Sequence, residues 1–397
     1  MAVKRGPRQR GAGIAVLRAV RVPAGAATSL LLPALQRVLE GRDPALLAMP
    51  ARDEPATMLR DLRVGEPIDD DVALVVTTSG TTGPPKGALL TAAALTASAT
   101  ATHRRLGGPG RWLLAVPPYH IAGLQVLVRS VIAGSTPVEL DVSAGFDINQ
   151  LPDAVRQLGS GRRYTSLVAA QLAKALTLPA TAAALAELDA VLLGGGPAPR
   201  PVLEGAKAAG ITVVRTYGMS ETAGGCVYDG VPLDGVRMRV LDDGRVALGG
   251  ATLAKGYRNP VHPDPFAEPG WFYTDDLGAI DDAGVLSVLG RVDEAISTGG
   301  LTVLPQPVEA ALCTHPAVGD CAVFGLADDR LGQRVVAAIV VNRGCAPPTL
   351  DALRAHVART LDSTAAPREL HIVDELPRRG IGKVDRATLV RSFGGAG

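Results

Sequence analysis

Apolar runs and glycine-rich turns alternate along the first two-thirds of the chain. Val72–Val76 is an uninterrupted apolar run with strand composition, introduced by Asp69, Asp70 and Asp71. It leads into a loop of small polar residues, 77–87, and then into Ala/Leu/Thr-rich sequence over 88–103 that reads as a helix. The alternation continues with a strand over 112–116, a helix over 124–132, helical character over 166–176 and a short strand over 190–193. A Gly194-Gly195-Gly196-Pro197 turn follows, then a helix over 201–209 and a strand over 212–215. Before all this, 29–39 reads as a helix and 41–54 as a loop, in a first segment of about seventy residues that carries no obvious site chemistry.

From 236 to 288 the texture changes to short β segments separated by turns such as Asp242-Asp243-Gly244 and Asp281-Asp282-Ala283-Gly284. After Gly290 a helix (308–314), strands (321–324 and 335–341) and a second helix (350–361) make a compact α+β unit. The pattern predicts an α/β protein. A large N-terminal domain holds layered sheets, helices and a small β subdomain, and a small α+β domain follows it. The 397-residue length also favours two or three domains over one core.

Composition narrows the function classes. Apolar residues are 47% and charged residues 20%, with a mean hydropathy of +0.21, so the chain is globular. Forty basic residues face 39 acidic ones, a balance that argues against nucleic acid or an anionic membrane as partner. The most apolar stretch, 113–128, is interrupted by Pro117, Pro118, His120 and Gln125, so no membrane span is expected. Cys226, Cys313, Cys321 and Cys345 show neither CxxC nor finger spacing, and free thiols in a reducing compartment are expected. Residues 1–39 contain no acid, and Arg18 and Arg21 break any signal-like apolar core; a basic start to a cytoplasmic protein is the expectation.

The 77–87 loop is the strongest single feature. It packs four threonines, one serine, three glycines and a lysine into eleven residues. Glycines let backbone N–H groups approach an anion, hydroxyls donate further bonds and a lysine adds a point charge. It is not a Walker A loop, because Lys86 precedes Gly87 and the glycines are spaced Gly80-x-x-Gly83. The plainer alternative, a flexible surface loop, sits poorly with the stiffening Pro84-Pro85.

In this loop the chain resembles the adenylate-forming superfamily of acyl- and aryl-CoA ligases, and further motifs follow in order. They are Pro118-Tyr119-His120-Ile121-Ala122-Gly123, Tyr217-Gly218-Met219-Ser220-Glu221-Thr222, Gly256-Tyr257-Arg258-Asn259, Thr274-Asp275-Asp276-Leu277, Gly290-Arg291-Val292-Asp293 and Gly382-Lys383-Val384-Asp385-Arg386. The resemblance implies a phosphate loop made of Thr78, Ser79, Gly80, Thr81, Thr82, Gly83 and Lys86. It implies a nucleotide site in which Gly195, Gly196 and Pro197 face the base edge and Tyr217 and Gly218 offer a stacking face. Asp276, preferred over Asp275 by its register on Leu277, and Arg291 would hold the ribose. Glu221 would hold Mg²⁺, Thr222 the α-phosphate, and His120 would lie on the acid side.

Lys383, by the same resemblance, bridges the carboxylate and the α-phosphate during adenylation. Asp293 takes the hinge position between an N-terminal domain of residues 1–292, shortened before its phosphate loop, and a mobile domain of 293–397. Thr298, Gly299 and Gly300 would line a tunnel for coenzyme A, and Ser297 stands where many relatives carry lysine.

The acid is less legible. Arg129, alone in the apolar 124–132 helix, reads either as a structural ion-pair partner or as the mate of a second substrate carboxylate. The resemblance extends to the short actinobacterial o-succinylbenzoate–CoA ligases of menaquinone synthesis, which implies the second reading. The substrates expected are then o-succinylbenzoate, ATP and CoA, with Mg²⁺. Another acyl- or aryl-CoA ligase of the superfamily, or a non-catalytic nucleotide-binding relative, would share most motifs. The latter would be expected to lack Glu221 or Lys383, and both are here. A homo-oligomer is compatible with the sequence.

Overall fold

The computed structural model describes residues 15–51, 56–78, 85–379 and 382–394. The first sheet has four strands, Arg18–Val22, Leu46–Pro50, Val72–Val76 and Ala88–Thr91, of which the first three run parallel and the last antiparallel. The second has seven, in the order Val231–Pro232, Gly224–Tyr228, Val213–Met219, Ala190–Gly194, Arg163–Val168, Arg111–Leu114 and Val138–Glu139. It is parallel from Val213–Met219 to Val138–Glu139, with an antiparallel hairpin at the other edge.

The seven-stranded sheet is covered on both faces, and its side chains alternate accordingly. Trp112, Leu114 and Leu192 point into one apolar layer, while Leu113, Ala115, Val191 and Leu193 point into the other. The first layer is filled by the helices Ala92–Arg105 and Ile121–Ile132, lying between the two sheets through Leu95, Ala99, Leu124 and Leu127. The second is filled by Leu151–Gln157, Ala169–Ala175, Pro179–Ala186 and Arg200–Ala208. A four-stranded antiparallel sheet, Val236–Val240, Arg245–Gly250, Trp271–Ile280 and Leu286–Arg291, adds Val246 and Leu248 to the first layer.

From Ile296 onward a separate core forms. Its sheet takes Leu301–Val303, Ile296–Thr298, Gly332–Val341, Val318–Asp328 and Glu369–Ile372. Pro305–Leu312 and Leu350–Val357 pack on one face and Arg386–Phe393 on the other. A two-stranded ribbon of Arg378–Arg379 and Lys383–Val384 is held to this unit by Val384, packed on the cluster that includes Phe324, and by the Arg378–Asp320 ion pair. The α/β class expected from the apolar pattern is the class observed.

Three segments differ from the sequence expectation. The 41–54 loop contains the buried strand Leu46–Pro50. The 88–103 helix begins only at Ala92, because Ala88–Thr91 pairs with Val72–Val76 and Thr91 then caps the helix by accepting from the Ala94 N–H at 3.0 Å. Residues 163–168 are strand, so the helix expected from 166 starts at Ala169. In each case long-range pairing overrides local propensity. Among the described residues no helix is long and apolar enough to cross a membrane.

Candidate active site

Residues at or just beyond the C-terminal ends of the parallel strands gather the chemistry, where open α/β sheets place their ligands. Gly195, Gly196 and Pro197 follow Ala190–Gly194 and are exposed. Tyr217 and Gly218 end the Val213–Met219 strand, and the turn Ser220–Thr222 comes next. Two of the motif glycines are demanded by close approach. A Cβ on Gly218 would lie 2.2 Å from the Gly224 carbonyl oxygen, and one on Gly123 would lie 2.2 Å from that of Pro117.

Tyr217 donates its phenol to Asp276 Oδ2 at 2.7 Å. Asp276 is 8% exposed, and its Oδ1 accepts from Arg291 Nη1 at 3.4 Å, whereas Asp275 is largely exposed. The register on Leu277 therefore selected the buried carboxylate. Burial raises the Asp276 pKa, opposed by the Tyr217 hydrogen bond and the Arg291 and Lys383 charges. Burial works against the Arg291 charge too, but Asp293, Asp276 and Asp275 outweigh it and raise its pKa. Arg291 holds Asp293 by two bonds, Nε to Oδ1 at 2.8 Å and Nη2 to Oδ2 at 2.9 Å. The expected ribose ligand and the expected hinge residue thus share one guanidinium.

Glu221 is 7% exposed and accepts the Tyr257 phenol on Oε1 at 2.6 Å. Burial raises its pKa against the lowering effects of Tyr257, its own backbone and the Lys86 and Lys383 charges. Lys86 also lies 5.5 Å from the Tyr257 ring centroid. The Gly256-Tyr257-Arg258-Asn259 motif braces the C-terminal end of the 77–87 loop. Arg258 and Asn259 donate their N–H groups to Gly87 and Lys86 at 2.7 and 3.0 Å, and Asn259 Nδ2 bonds the Pro85 carbonyl at 2.8 Å. Arg258 itself is buried and spends its guanidinium on the carbonyls of Leu62, Arg63 and Pro67. The sequence pointed to this motif but not to Tyr257 as the residue that holds Glu221, a pairing across 36 positions.

Lys383 is exposed, yet its charge acts on both Asp276 and Glu221. A Cβ on the adjacent Gly382 would lie 3.8 Å from Val168 Cγ2, so this loop of the small domain rests against the end of the Arg163–Val168 strand. The two carboxylates thus lie within electrostatic reach of the lysine. Thr78 Oγ1 is buried with no hydrogen-bond partner among the described residues, and Ser79, Gly80, Thr81, Thr82 and Gly83 lie outside the described residues. His120 precedes the Ile121–Ile132 helix, half-buried beside Tyr119, and burial lowers its pKa.

Three of the expected site residues are buried in this structure. Thr222 is fully buried, accepting from Met219 N–H at 2.9 Å and donating to the Gly224 carbonyl at 2.8 Å. It closes the turn, and the half-buried hydroxyl beside Glu221 is that of Ser220. Arg129 is 3% exposed, stacked 4.8 Å from the Trp112 ring centroid and 3.5 Å from Tyr228 Oη, with Nε unpartnered. Nine positions beyond His120 in a helix, it lies about 13 Å along the axis from that residue, among the core side chains between the sheets. Thr298 is 3% exposed inside the small domain, and only Gly299 and Gly300, at a hairpin tip, are open to solvent.

Among the described residues no group of three or more His, Cys, Asp or Glu could cage a metal. Glu221 suits a different arrangement, one hard oxygen donor whose burial is costly without a countercharge, completed by substrate phosphates as Mg²⁺ commonly is.

Known proteins fit this geometry. The AMP-binding enzyme family matches residues 24–258, and its C-terminal domain matches 307–383. A Mycobacterium tuberculosis protein named probable 2-succinylbenzoate–CoA ligase is 81% identical over 381 residues, 96% of this chain and 99% of the relative. The 2-succinylbenzoate–CoA ligase of Geobacillus kaustophilus is 36% identical over 356 residues, 83% of this chain and 71% of that one. The o-succinylbenzoate CoA synthetase of Bacillus subtilis bound to ATP and magnesium superposes with a TM-score of 0.78 at 26% identity, covering 94% of this chain and 89% of that one. The same enzyme with its acyl-adenylate intermediate gives 0.75 at 26% identity, covering 94% and 88%. The chain belongs to the family of AMP-binding enzymes, with both the large domain and the small C-terminal domain of that family.

Proposed function

We propose that this protein is a 2-succinylbenzoate–CoA ligase (o-succinylbenzoate–CoA ligase) of menaquinone biosynthesis, working in the cytoplasm. It activates o-succinylbenzoate with ATP as an acyl-adenylate, releasing pyrophosphate, and passes the acyl group to CoA with release of AMP. The observation that carries this is the 81% identity that spans nearly the whole of both chains.

The residues divide the work in a physically sensible way. The 77–87 loop takes the triphosphate, Tyr217 covers one face of the adenine, and Asp276 accepts the ribose hydroxyls. Glu221 holds Mg²⁺, which when bound offsets phosphate charge. Lys383 offsets the charge of two anions, the substrate carboxylate and the α-phosphate, as they approach each other, a role supported by the reach of its charge to Glu221 and Asp276. With Thr222 sealed, Ser220 is the hydroxyl of this turn available to the α-phosphate. Asp293 is the hinge, dividing 1–292 from 293–397. Rotation there withdraws Lys383 and brings Gly299 and Gly300 toward the thiol path for the second half-reaction.

A screen of carboxylic acids for pyrophosphate release by the purified enzyme tests the substrate. o-Succinylbenzoate should be turned over fastest, and a better monocarboxylic aryl acid would overturn the assignment.

A further inference from the structure

Two of the four cysteines meet in the small domain. Cys313 follows the Pro305–Leu312 helix and is half-buried, and Cys321 lies in the Val318–Asp328 strand at 5% exposure. Their sulfurs are 3.4 Å apart, and Cys321 Sγ is also 3.4 Å from the Glu309 carbonyl oxygen. Neither the nucleotide site nor the hinge uses them. We propose that Cys313 and Cys321 form a redox-active dithiol, which a hydroperoxide closes to a reversible disulfide.

The geometry assigns the order of events. Cys313 is the more accessible sulfur and Cys321 the covered one, so the first attacks the oxidant and the second resolves the product. The hydrogen bond between the two thiols lowers the Cys313 pKa despite its burial and the charges of Asp320 and Glu309, while Cys321 is raised. The Cys313 thiolate attacks a peroxide oxygen, the O–O bond breaks, hydroxide leaves and Cys313 becomes a sulfenic acid. Cys321 sulfur then attacks Cys313 sulfur, the S–O bond breaks, and water departs with the Cys321 proton. Counting the proton that Cys313 gave up at the start, two thiols and hydrogen peroxide become one disulfide and two waters. The sulfurs need to close by only about 1.4 Å to reach disulfide distance.

The other thiols serve as internal controls. Cys226 is fully buried in the large domain, where burial pushes its thiol up to about 12. Cys345 is exposed, with its sulfur 3.8 Å from the Pro316 carbonyl oxygen.

The test uses the full chain. The native enzyme is treated with hydrogen peroxide, quenched, denatured, alkylated with N-ethylmaleimide and digested with trypsin. Residues 292–330 contain both cysteines with no internal Lys or Arg before the terminal Arg330, so they form one peptide. That peptide should be lighter than its reduced form by two hydrogens and refuse the label, and dithiothreitol should restore labelling. In Cys321→Ser, dimedone should trap a sulfenic acid on Cys313. The proposal is overturned if Cys313 goes to the sulfinic or sulfonic acid in the wild type, or if it links to Cys345 instead. It is equally overturned if both thiols remain alkylatable at a peroxide dose that oxidises Cys345, or if dimedone leaves Cys313 unmodified in the variant.

Discussion

The Tyr217 phenol and the Asp276 carboxylate are joined by a 2.7 Å hydrogen bond, although 59 positions separate them in the chain. In the roles proposed for them, the bond would tie the aromatic face for the base to the acceptor for the ribose, so the two halves of a nucleoside would meet a pre-set pair. Tyr217→Phe keeps the ring and removes the donor. A hydrogen bond to a charged group contributes about 1.5–3 kcal/mol, so KM for ATP should rise roughly ten- to a hundred-fold with a smaller change in kcat. Steady-state pyrophosphate release at saturating acid measures this, and an unchanged KM would mean that the bond plays no part in placing the nucleotide.

Lys383 acts on Asp276 and Glu221 from the other side of the domain boundary. Removing its charge should lower the adenylation rate by about 10²–10³-fold, the loss typical of deleting one preorganised electrostatic contact. In Lys383→Ala, thioester formation from preformed acyl-adenylate and CoA should persist near the wild-type rate. Equal losses in the two half-reactions would remove the lysine from its assigned step.

Glu221 predicts a pH signature of the free enzyme. Its pKa is raised in the folded state, so the folded chain binds the proton more tightly than the unfolded chain. The contribution of this group is therefore full below its unfolded pKa and is lost as pH rises through the raised folded value. Glu221→Gln keeps a carbonyl oxygen for Tyr257 and removes the titration. Urea denaturation across weakly acidic to neutral pH should show a smaller loss of stability with rising pH in the variant than in wild type. The same variant should lose the thermal stabilisation that Mg–ATP gives wild type. Parallel pH profiles for the two proteins would contradict the titration.

What could be read in the sequence was mostly the loops. Gly218, Asp276 and Lys383 stand in short motifs that the family resemblance picks out, and the Lys383 charge reaches Asp276 in the fold. Side-chain direction was the harder part. Thr222 and Ser220 are two residues apart on one turn, and only the bonds to Met219 and Gly224 reveal which hydroxyl is sealed. Likewise Ala88–Thr91 has helical composition but becomes strand, because Ala88 pairs with Val76 and bridges to Tyr257. Such partners lie far away in sequence, and periodicity carries no record of them.

Arg129 is the case where the buried position favours the structural one of the two readings open in the sequence. A substrate anchor would raise KM for the acid when lost, but this guanidinium lies in the core over Trp112 with an unpartnered Nε. Burial lowers its pKa, and Tyr228 still has Thr102 as a partner at 3.0 Å without it. Replacing a buried charge by an apolar chain of similar volume is often neutral or stabilising. Arg129→Met should leave KM for o-succinylbenzoate within about twofold, on the scale of a change under 0.5 kcal/mol, and should not lower the urea midpoint. A large rise in that KM, with KM for ATP unchanged, would restore the carboxylate-anchor reading.

Arg386, three positions after Lys383, fastens the lysine loop to the turn proposed as the hinge. Its guanidinium donates to Glu309 Oε1 at 2.6 Å, to Glu294 Oε1 at 3.0 Å and to the Val323 carbonyl at 3.0 Å. Glu294 lies in the turn Val292–Glu294 that contains Asp293, and Gln306 donates to it as well. Burial already raises the Glu309 pKa, so removing Arg386 strands a covered carboxylate. Breaking such a pair by deleting one partner costs about 3–5 kcal/mol. Arg386→Ala should therefore loosen the small domain, seen as faster amide exchange over 305–341, and lower kcat for adenylation with little change in KM for ATP. The double variant Arg386→Met/Glu309→Gln, which removes the stranded charge, should recover the exchange protection. It should not recover the full rate, because the tie to Glu294 stays broken. Full recovery of both would make Arg386 a matter of folding alone, with no part in positioning the lysine loop.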